Sequence, residues 1–262
     1  MPDSDKYTVE TITHIHTWVP DKLFSIRTTR PPQYRFVAGQ FARLGVDKTG
    51  DSSVPVVWRA YSIVSAPYDE HLEFFSIVVP GGEFTSELSR LAVGDPLYLE
   101  RTNYGFLTTD RFECGKDLWL LSSGTGLAPF VSILYDVKTW EDYERVVLVH
   151  SVREPGELAY RPLIEALGQH EYFGEYAARK LTYVPVVTRV PVRGALGKRI
   201  TELVDTGELE QFAGTRFDHD RSRIMLCGNP DMVEDLRRQF TVKGFTVSKR
   251  GKPGHLAVEN YW

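Results

Sequence analysis

Hydrophobic and polar positions alternate through the first hundred or so residues and then stop alternating. Thr8 to Trp18 sets β-branched residues against polar ones, and Leu23 to Thr28 repeats the pattern, so both predict half-buried strands. Arg35-Phe36-Val37-Ala38-Gly39-Gln40-Phe41 enters a further strand through a glycine turn and runs on to Val46, after which the turn formers Asp47 to Ser53 predict a surface loop. Strands follow at Arg59–Ser65 and His71–Val79 around the polar loop Pro67 to His71. A short helix is predicted from about Thr85 to Leu91, then a turn at Gly94-Asp95-Pro96 and a strand from Leu97 to Arg101. Six short strands at this spacing, with one helix, predict a closed antiparallel Greek-key barrel.

After about residue 112 the apolar runs become continuous, as strands buried on both faces require. They are Leu118-Trp119-Leu120-Leu121, Val146 to Val149, Leu181 to Val187 and Ile224-Met225-Leu226. Helical segments are expected between and after them, at Pro129–Lys138, Tyr160–Leu167, Arg199–Thr206 and Pro230–Phe240. Alternating β and α predicts a doubly wound parallel sheet. The chain thus reads as a β-barrel unit, residues 1–112, followed by an α/β unit, residues 113–262, without repeats or a low-complexity linker.

Composition changes this picture little: 42% hydrophobic and 25% charged residues in 262 describe an ordinary globular chain. A net charge of −4 argues against a nucleic-acid partner. No apolar run approaches the roughly 20 residues that cross a bilayer, and Met1-Pro2-Asp3-Ser4-Asp5-Lys6 lacks a signal-peptide core, so a cytoplasmic protein without a membrane partner is expected. Cys114 and Cys227 are the only cysteines, too few for a four-cysteine iron–sulfur cluster and without metal-ligand spacing. His14 and His16 share a strand face, but no third ligand accompanies them, and no metal site is expected.

Chemistry enters at Arg59-Ala60-Tyr61-Ser62, where one strand is expected to present an arginine, a tyrosine and a serine together. Such a set suits a flat ring with a phosphate tail: Tyr61 to stack, Ser62 to hydrogen-bond a ring nitrogen, Arg59 to pair with phosphate. At the carboxyl ends of the parallel strands, Ser122-Ser123-Gly124-Thr125-Gly126 offers close backbone approach to a pyrophosphate at a helix start. The acidic residue that reads an adenosine ribose in a Rossmann fingerprint has no counterpart here. Arginines occupy the other ends instead: His150-Ser151-Val152-Arg153, Val187-Thr188-Arg189, and Arg199 at a helix start. Three arginines meeting in one pocket would suit a ribose 2′-phosphate and so NADPH over NADH.

Arg59-x-Tyr61-Ser62, Gly81-Gly82-Glu83-Phe84-Thr85-Ser86, Gly124-Thr125-Gly126-Leu127-Ala128-Pro129, Cys227-Gly228-Asn229-Pro230 and Glu259-Asn260-Tyr261-Trp262, in this order, resemble the ferredoxin–NADP reductase family. The likeness runs from about Tyr7 to Trp262 and is closest to the bacterial ferredoxin/flavodoxin members. It implies an FAD-binding barrel and an NADP-binding α/β unit that exchange a hydride between NADPH and the flavin. Electrons would then pass singly to an acidic ferredoxin or flavodoxin, and a monomer is expected. On the FAD side it implies Arg59, Ala60, Tyr61, Ser62, Gly82, Glu83, Phe84 and Thr85, with Phe75 and Ile77 along the ribityl chain and Thr125 against the flavin. Tyr261 would cover the ring face opposite Tyr61 and Trp262 the adenine. On the NADP side it implies Thr125, Gly126, Val152, Arg153, Arg189, Arg199, Cys227 and Gly228, with Ser62, Cys227 and Glu259 nearest the reacting atoms. Lys243, Lys249, Arg250 and Lys252 form a candidate basic rim for the acidic carrier. Two other readings remain: the reductase component of an oxygenase system, which often brings its own iron–sulfur or haem domain, and a flavin electron-transfer subunit without NADP use.

Overall fold

The computed structural model describes residues 6–47 and 57–260. The loop read at 47–53 therefore lies, beyond Asp47, outside the described residues, as do Tyr261 and Trp262. The first unit comprises β1 (Tyr7–Val19), β2 (Leu23–Thr29), β3 (Phe41–Val46), β4 (Val57–Ser62), β5 (His71–Ile77), α1 (Glu83–Leu88) and β6 (Pro96–Glu100). Its sheet runs β4-β3-β6-β1-β2-β5 with antiparallel neighbours, and β6 returns between β3 and β1 in Greek-key manner. The two ends of that order meet through the bridge Ile63–Phe74 and the Val64 N–H to Glu73 C=O hydrogen bond (2.8 Å), which closes the barrel. Inward residues such as Ile12, Ile26, Leu44, Leu72 and Phe84 fill it.

Several boundaries moved from expectation. The third strand starts at Phe41 rather than at Arg35, because Gly39 turns the chain at a positive φ of 96° just before it. The strands at Arg59 and His71 end at Ser62 and Ile77, and the helix begins at Glu83, directly after Gly82.

The second unit comprises β7 (Asp117–Ser123), α2 (Ala128–Leu134), α3 (Val137–Asp142), β8 (Arg145–Val152), α4 (Arg161–Glu165), α5 (Gly174–Lys180), β9 (Leu181–Val187), α6 (Ile200–Thr206), α7 (Glu208–Ala213), β10 (Ser222–Gly228), α8 (Pro230–Val242) and β11 (Leu256–Asn260). The sheet is parallel throughout, in the order β11-β10-β7-β8-β9. Strand order reverses between β7 and β10, and ligands in such sheets bind in the crevice at that switch point. The fifth strand, β11, was not anticipated; it lies beside β10 and carries Glu259 back toward the barrel. The helix expected over Pro129–Lys138 is two helices, because the Asp136 carboxylate accepts from the Lys138 N–H (3.0 Å) and starts α3 afresh. The helix expected from Tyr160 begins one residue later, since Tyr160 is left-handed at φ 61°.

One apolar cluster crosses between the units: Leu23, Ala38, Val64 and Phe75 of the barrel pack with Leu118, Phe130, Ile133, Tyr160 and Met225. No described helix is long and apolar enough to cross a membrane.

Candidate active site

A cavity of about 920 Å³ opens over the carboxyl ends of β7, β8, β9 and β10. It is large enough for a nucleotide. Lys22, Leu23 and Ile77 of the barrel line one side, and Ser123, Gly124 and Thr125 the end of β7. Val152 and Arg153 follow β8, Thr188 and Arg189 follow β9, and Lys198 and Arg199 lead into α6. Backbone pairing brings the arginines together. Thr188 N–H donates to the Val152 carbonyl (3.0 Å) and Arg189 N–H to the Arg153 carbonyl (3.1 Å), so the two loops advance side by side. Leu196 N–H then reaches the Pro185 carbonyl (3.0 Å) and turns residues 197–199 back over the same space. All three arginines expected from the sequence thus border one cavity.

Their charges are unequally engaged. Arg189 approaches Glu154 at 3.7 Å, whereas Arg153 and Arg199 have no ion pair among the described residues. Lys22 pairs with Glu157, whose other oxygen accepts the Arg153 and Glu154 N–H groups (2.9 and 3.1 Å). Burial would raise the Glu157 pKa, but Lys22 and these two amides outweigh it and hold the carboxyl below its usual range.

The floor of the cavity is built by close approach of backbone. A Cβ on Gly126 would stand 2.4 Å from the Cys227 carbonyl oxygen, and one on Gly228, at φ 132°, would stand 2.4 Å from Ser123 Oγ. Gly228 thus makes room for Ser123. Gly124, at φ 53°, faces open space, which is a cradle that a pyrophosphate can approach. His150 lies beneath, fully buried, with Nε2 donating to the Gly124 carbonyl at 3.2 Å. Burial lowers its pKa to about 4, so it is neutral, and Nδ1 finds no partner among the described residues. Asn229 accepts from Met232 N–H (3.1 Å) and caps α8.

The barrel-side residues gather at a second place, reached through β5. Tyr61 donates to or accepts from Ser76 (2.9 Å) and leans on Phe84 of α1, with ring centroids 5.4 Å apart. Arg59 is exposed, its guanidinium bonded to the neighbouring Trp58 carbonyl (2.8 Å), and Ala60 is exposed beside it. Ser62 does not share the face of Arg59 and Tyr61 as expected, because successive strand residues point to opposite sides. Its Oγ instead donates to Glu259 Oε1 of β11, a long contact of 3.4 Å between the two units. Burial raises the Glu259 pKa to about 7, partly offset by Ser62.

Gly82 precedes α1, whose first turn at Glu83, Phe84 and Thr85 has no side-chain cap. A Cβ on Gly82 would crowd Thr85 Oγ1 (2.8 Å) and the Val79 carbonyl (2.9 Å). An exposed arginine, a half-buried tyrosine and a glycine-led helix start fit a flavin dinucleotide.

Three expected side chains are used differently. Phe75 is a core residue, edge-on to Tyr160 at 5.2 Å, and does not line the cavity, although Ile77 does. Phe84 is likewise interior, packed in the barrel core. Cys227 is fully buried, so its thiol is not part of the cavity wall. Lys22 and Lys198 were not anticipated; neither stands in a recognisable motif, and only the fold brings them to the arginines. No group of three potential metal ligands occurs among the described residues.

The pattern described as an oxidoreductase NAD-binding domain matches residues 120–238. Ferredoxin–NADP reductase of Pseudomonas aeruginosa is 44% identical over 259 residues, covering 98% of this chain and 97% of the relative. Flavodoxin/ferredoxin–NADP reductase of Escherichia coli is 36% identical over 252 residues, covering 96% and 97%. Among solved structures, a ferredoxin NADP+ reductase from Neisseria gonorrhoeae with bound FAD and NADP superposes with a TM-score of 0.89 at 36% identity, over 98% of this chain and 99% of that one. With barrel, switch-point cavity and near-full-length relatives in agreement, this chain belongs to the ferredoxin–NADP reductase family.

Proposed function

We propose that the chain is an FAD-dependent reductase exchanging electrons between NADP(H) and a one-electron carrier, ferredoxin or flavodoxin. The observation that carries this reading is the meeting of Arg153, Arg189 and Arg199 in a cavity whose opposite side belongs to the barrel. Residues 1–112 act as the FAD unit and residues 113–262 as the NADP unit. Arg59 and the first-turn amides of α1 at Glu83 to Thr85 hold the FAD phosphates, with Ala60 beside them and Tyr61 against the ring. Gly82 leads into that turn with its own N–H on the Val79 carbonyl (2.8 Å). Ile77 and Thr125 border the flavin from the two units, Phe75 supporting from the core. Thr125, Gly126, Val152 and Gly228 shape the nucleotide site, and the arginines bind its 2′-phosphate. Bound flavin supplies the two-electron to one-electron conversion. The protein's own part is to position, to exclude water and to hold one proton between Ser62 Oγ and Glu259 Oε1, the latter titrating near neutrality.

For the carrier, Lys249, Arg250 and Lys252 form an exposed turn in which the Lys249 and Lys252 backbones bond each other both ways (2.9 Å). Ser248 ties this turn to the Arg111 carbonyl (3.2 Å). Lys243 instead ends α8, where its carbonyl accepts from His219. An acidic ferredoxin or flavodoxin docks at this turn, and salt weakens the association.

Extracting the cofactor and following NADPH oxidation with ferricyanide test the assignment; recovery of FMN alone would contradict it. Arg189→Ala should weaken NADPH by about 1.5–3 kcal/mol, roughly ten- to a hundredfold, and leave NADH use nearly unchanged. Equal losses with both nucleotides would show that the phosphate lies elsewhere.

A further inference from the structure

Lys198 stands in the same cavity wall as Arg153, Arg189 and Arg199. Its Nζ lies 2.7 Å from Glu208 Oε1 and 3.4 Å from Glu202 Oε1. Glu202 borders the cavity and Glu208 does not. The three side chains are 45%, 54% and 38% exposed for Lys198, Glu202 and Glu208. Ion pairs this open to water contribute little net free energy and exchange partners readily. An ammonium on a flexible stem has three donors, so Lys198 can keep Glu208 and turn a second donor toward an anion in the cavity. Glu202 is then the competitor: it occupies the lysine from the cavity side, and its own charge opposes any phosphate that approaches.

We propose that Lys198 is a specificity-determining residue for the nucleotide, a fourth cation for the ribose phosphate, held between Glu202 and Glu208 and released to the phosphate against competition from Glu202. The proposal rests on reading the cavity as the NADP(H) site. It gives two substitutions effects of opposite sign. Lys198→Ala removes a partner that only the phosphorylated ribose uses. Glu202→Gln frees the lysine and removes a like charge while keeping the side chain's shape.

The test is calorimetric titration of the FAD-loaded protein with 2′,5′-ADP and with 5′-AMP at several salt concentrations. Lys198→Ala should weaken 2′,5′-ADP by about threefold or more, flatten its salt dependence and leave 5′-AMP unchanged. Lys198→Arg should retain most of the wild-type preference, and Glu202→Gln should tighten 2′,5′-ADP by about twofold or more. Unchanged 2′,5′-ADP affinity in Lys198→Ala, or equal weakening of both ligands, overturns the proposal. Arg189→Ala in the same titration separates its failure from that of the parent reading. Loss of 2′,5′-ADP binding in Arg189→Ala alone removes only the role of Lys198, and no loss in either variant removes the phosphate site as well.

Discussion

Buried in β8 and bonded through Nε2 to the Gly124 carbonyl, His150 can accept a proton only at a cost. Its pKa is lowered to about 4 by burial, against an ordinary value of about 6.5. The unfolded chain therefore binds a proton first as pH falls, and stability declines from about pH 6.5 down to about pH 4. The full loss is on the order of 3 kcal/mol. Urea titrations at pH 7.5 and pH 4.5 should show that His150→Leu loses this acid sensitivity, whatever it costs at neutral pH; an unaltered acid slope would count against a buried neutral imidazole. Glu259 acts with the opposite slope, since burial raises its pKa to about 7 and stability falls as pH climbs from the ordinary carboxyl range through 7. The three arginines were legible in the sequence because Arg153 and Arg189 follow apolar strands, whose ends are where ligands bind, and Arg199 opens the next helix. His150 was visible as a residue but not as a prop for the Gly124 loop, because its partner lies 26 positions away and only the sheet register joins them.

Strands announced themselves by period, and their two textures, alternating and continuous, separated barrel from parallel sheet. What escaped was short. α5 has seven residues, α7 six and β11 five, too few to establish a periodicity of their own. The loop between β7 and α2 illustrates how glycines in one motif can be needed for different reasons. Gly124 has room for a side chain but a positive φ of 53°; the Gly126 Cβ position lies 2.4 Å from a carbonyl oxygen of β10. Alanine at Gly124 should cost about 1 kcal/mol, the price of left-handed backbone. Alanine at Gly126 cannot be accommodated without moving this loop off the end of β10, so it should be the more destabilising and should also disturb the nucleotide site. Thermal denaturation and NADP+ titration of both variants check this, and equal effects would mean that backbone conformation, not packing against Cys227 and Gly228, governs the loop.

Across the whole molecule, the two sheets share more than a cavity. Tyr160, left-handed before α4, reaches into the barrel, where its hydroxyl donates to Glu73 Oε1 at 2.7 Å and its ring packs against Trp18 and Phe75. Glu73 also accepts from Arg27 Nε (2.7 Å), so one carboxylate ties β2 and β5 to the α/β unit. Ser132 Oγ donates across to the Ser65 carbonyl (2.8 Å), and the Lys22–Glu157 pair crosses at the cavity rim. Around these polar ties runs the shared apolar cluster, so neither unit can open without exposing part of the other's core. The expectation is a single unfolding transition by calorimetry at fixed FAD and nucleotide concentration, with calorimetric and van't Hoff enthalpies equal. Tyr160→Phe keeps the ring and removes one donor from a buried carboxylate, which should cost about 1–3 kcal/mol. For a chain of this size that is a fall in Tm of roughly 2–4 °C per kcal/mol. If the interface couples the units, the variant's transition moves down as one. Two resolved transitions in the wild type, only the lower one shifting in Tyr160→Phe, would show instead that barrel and α/β unit fold independently and merely touch.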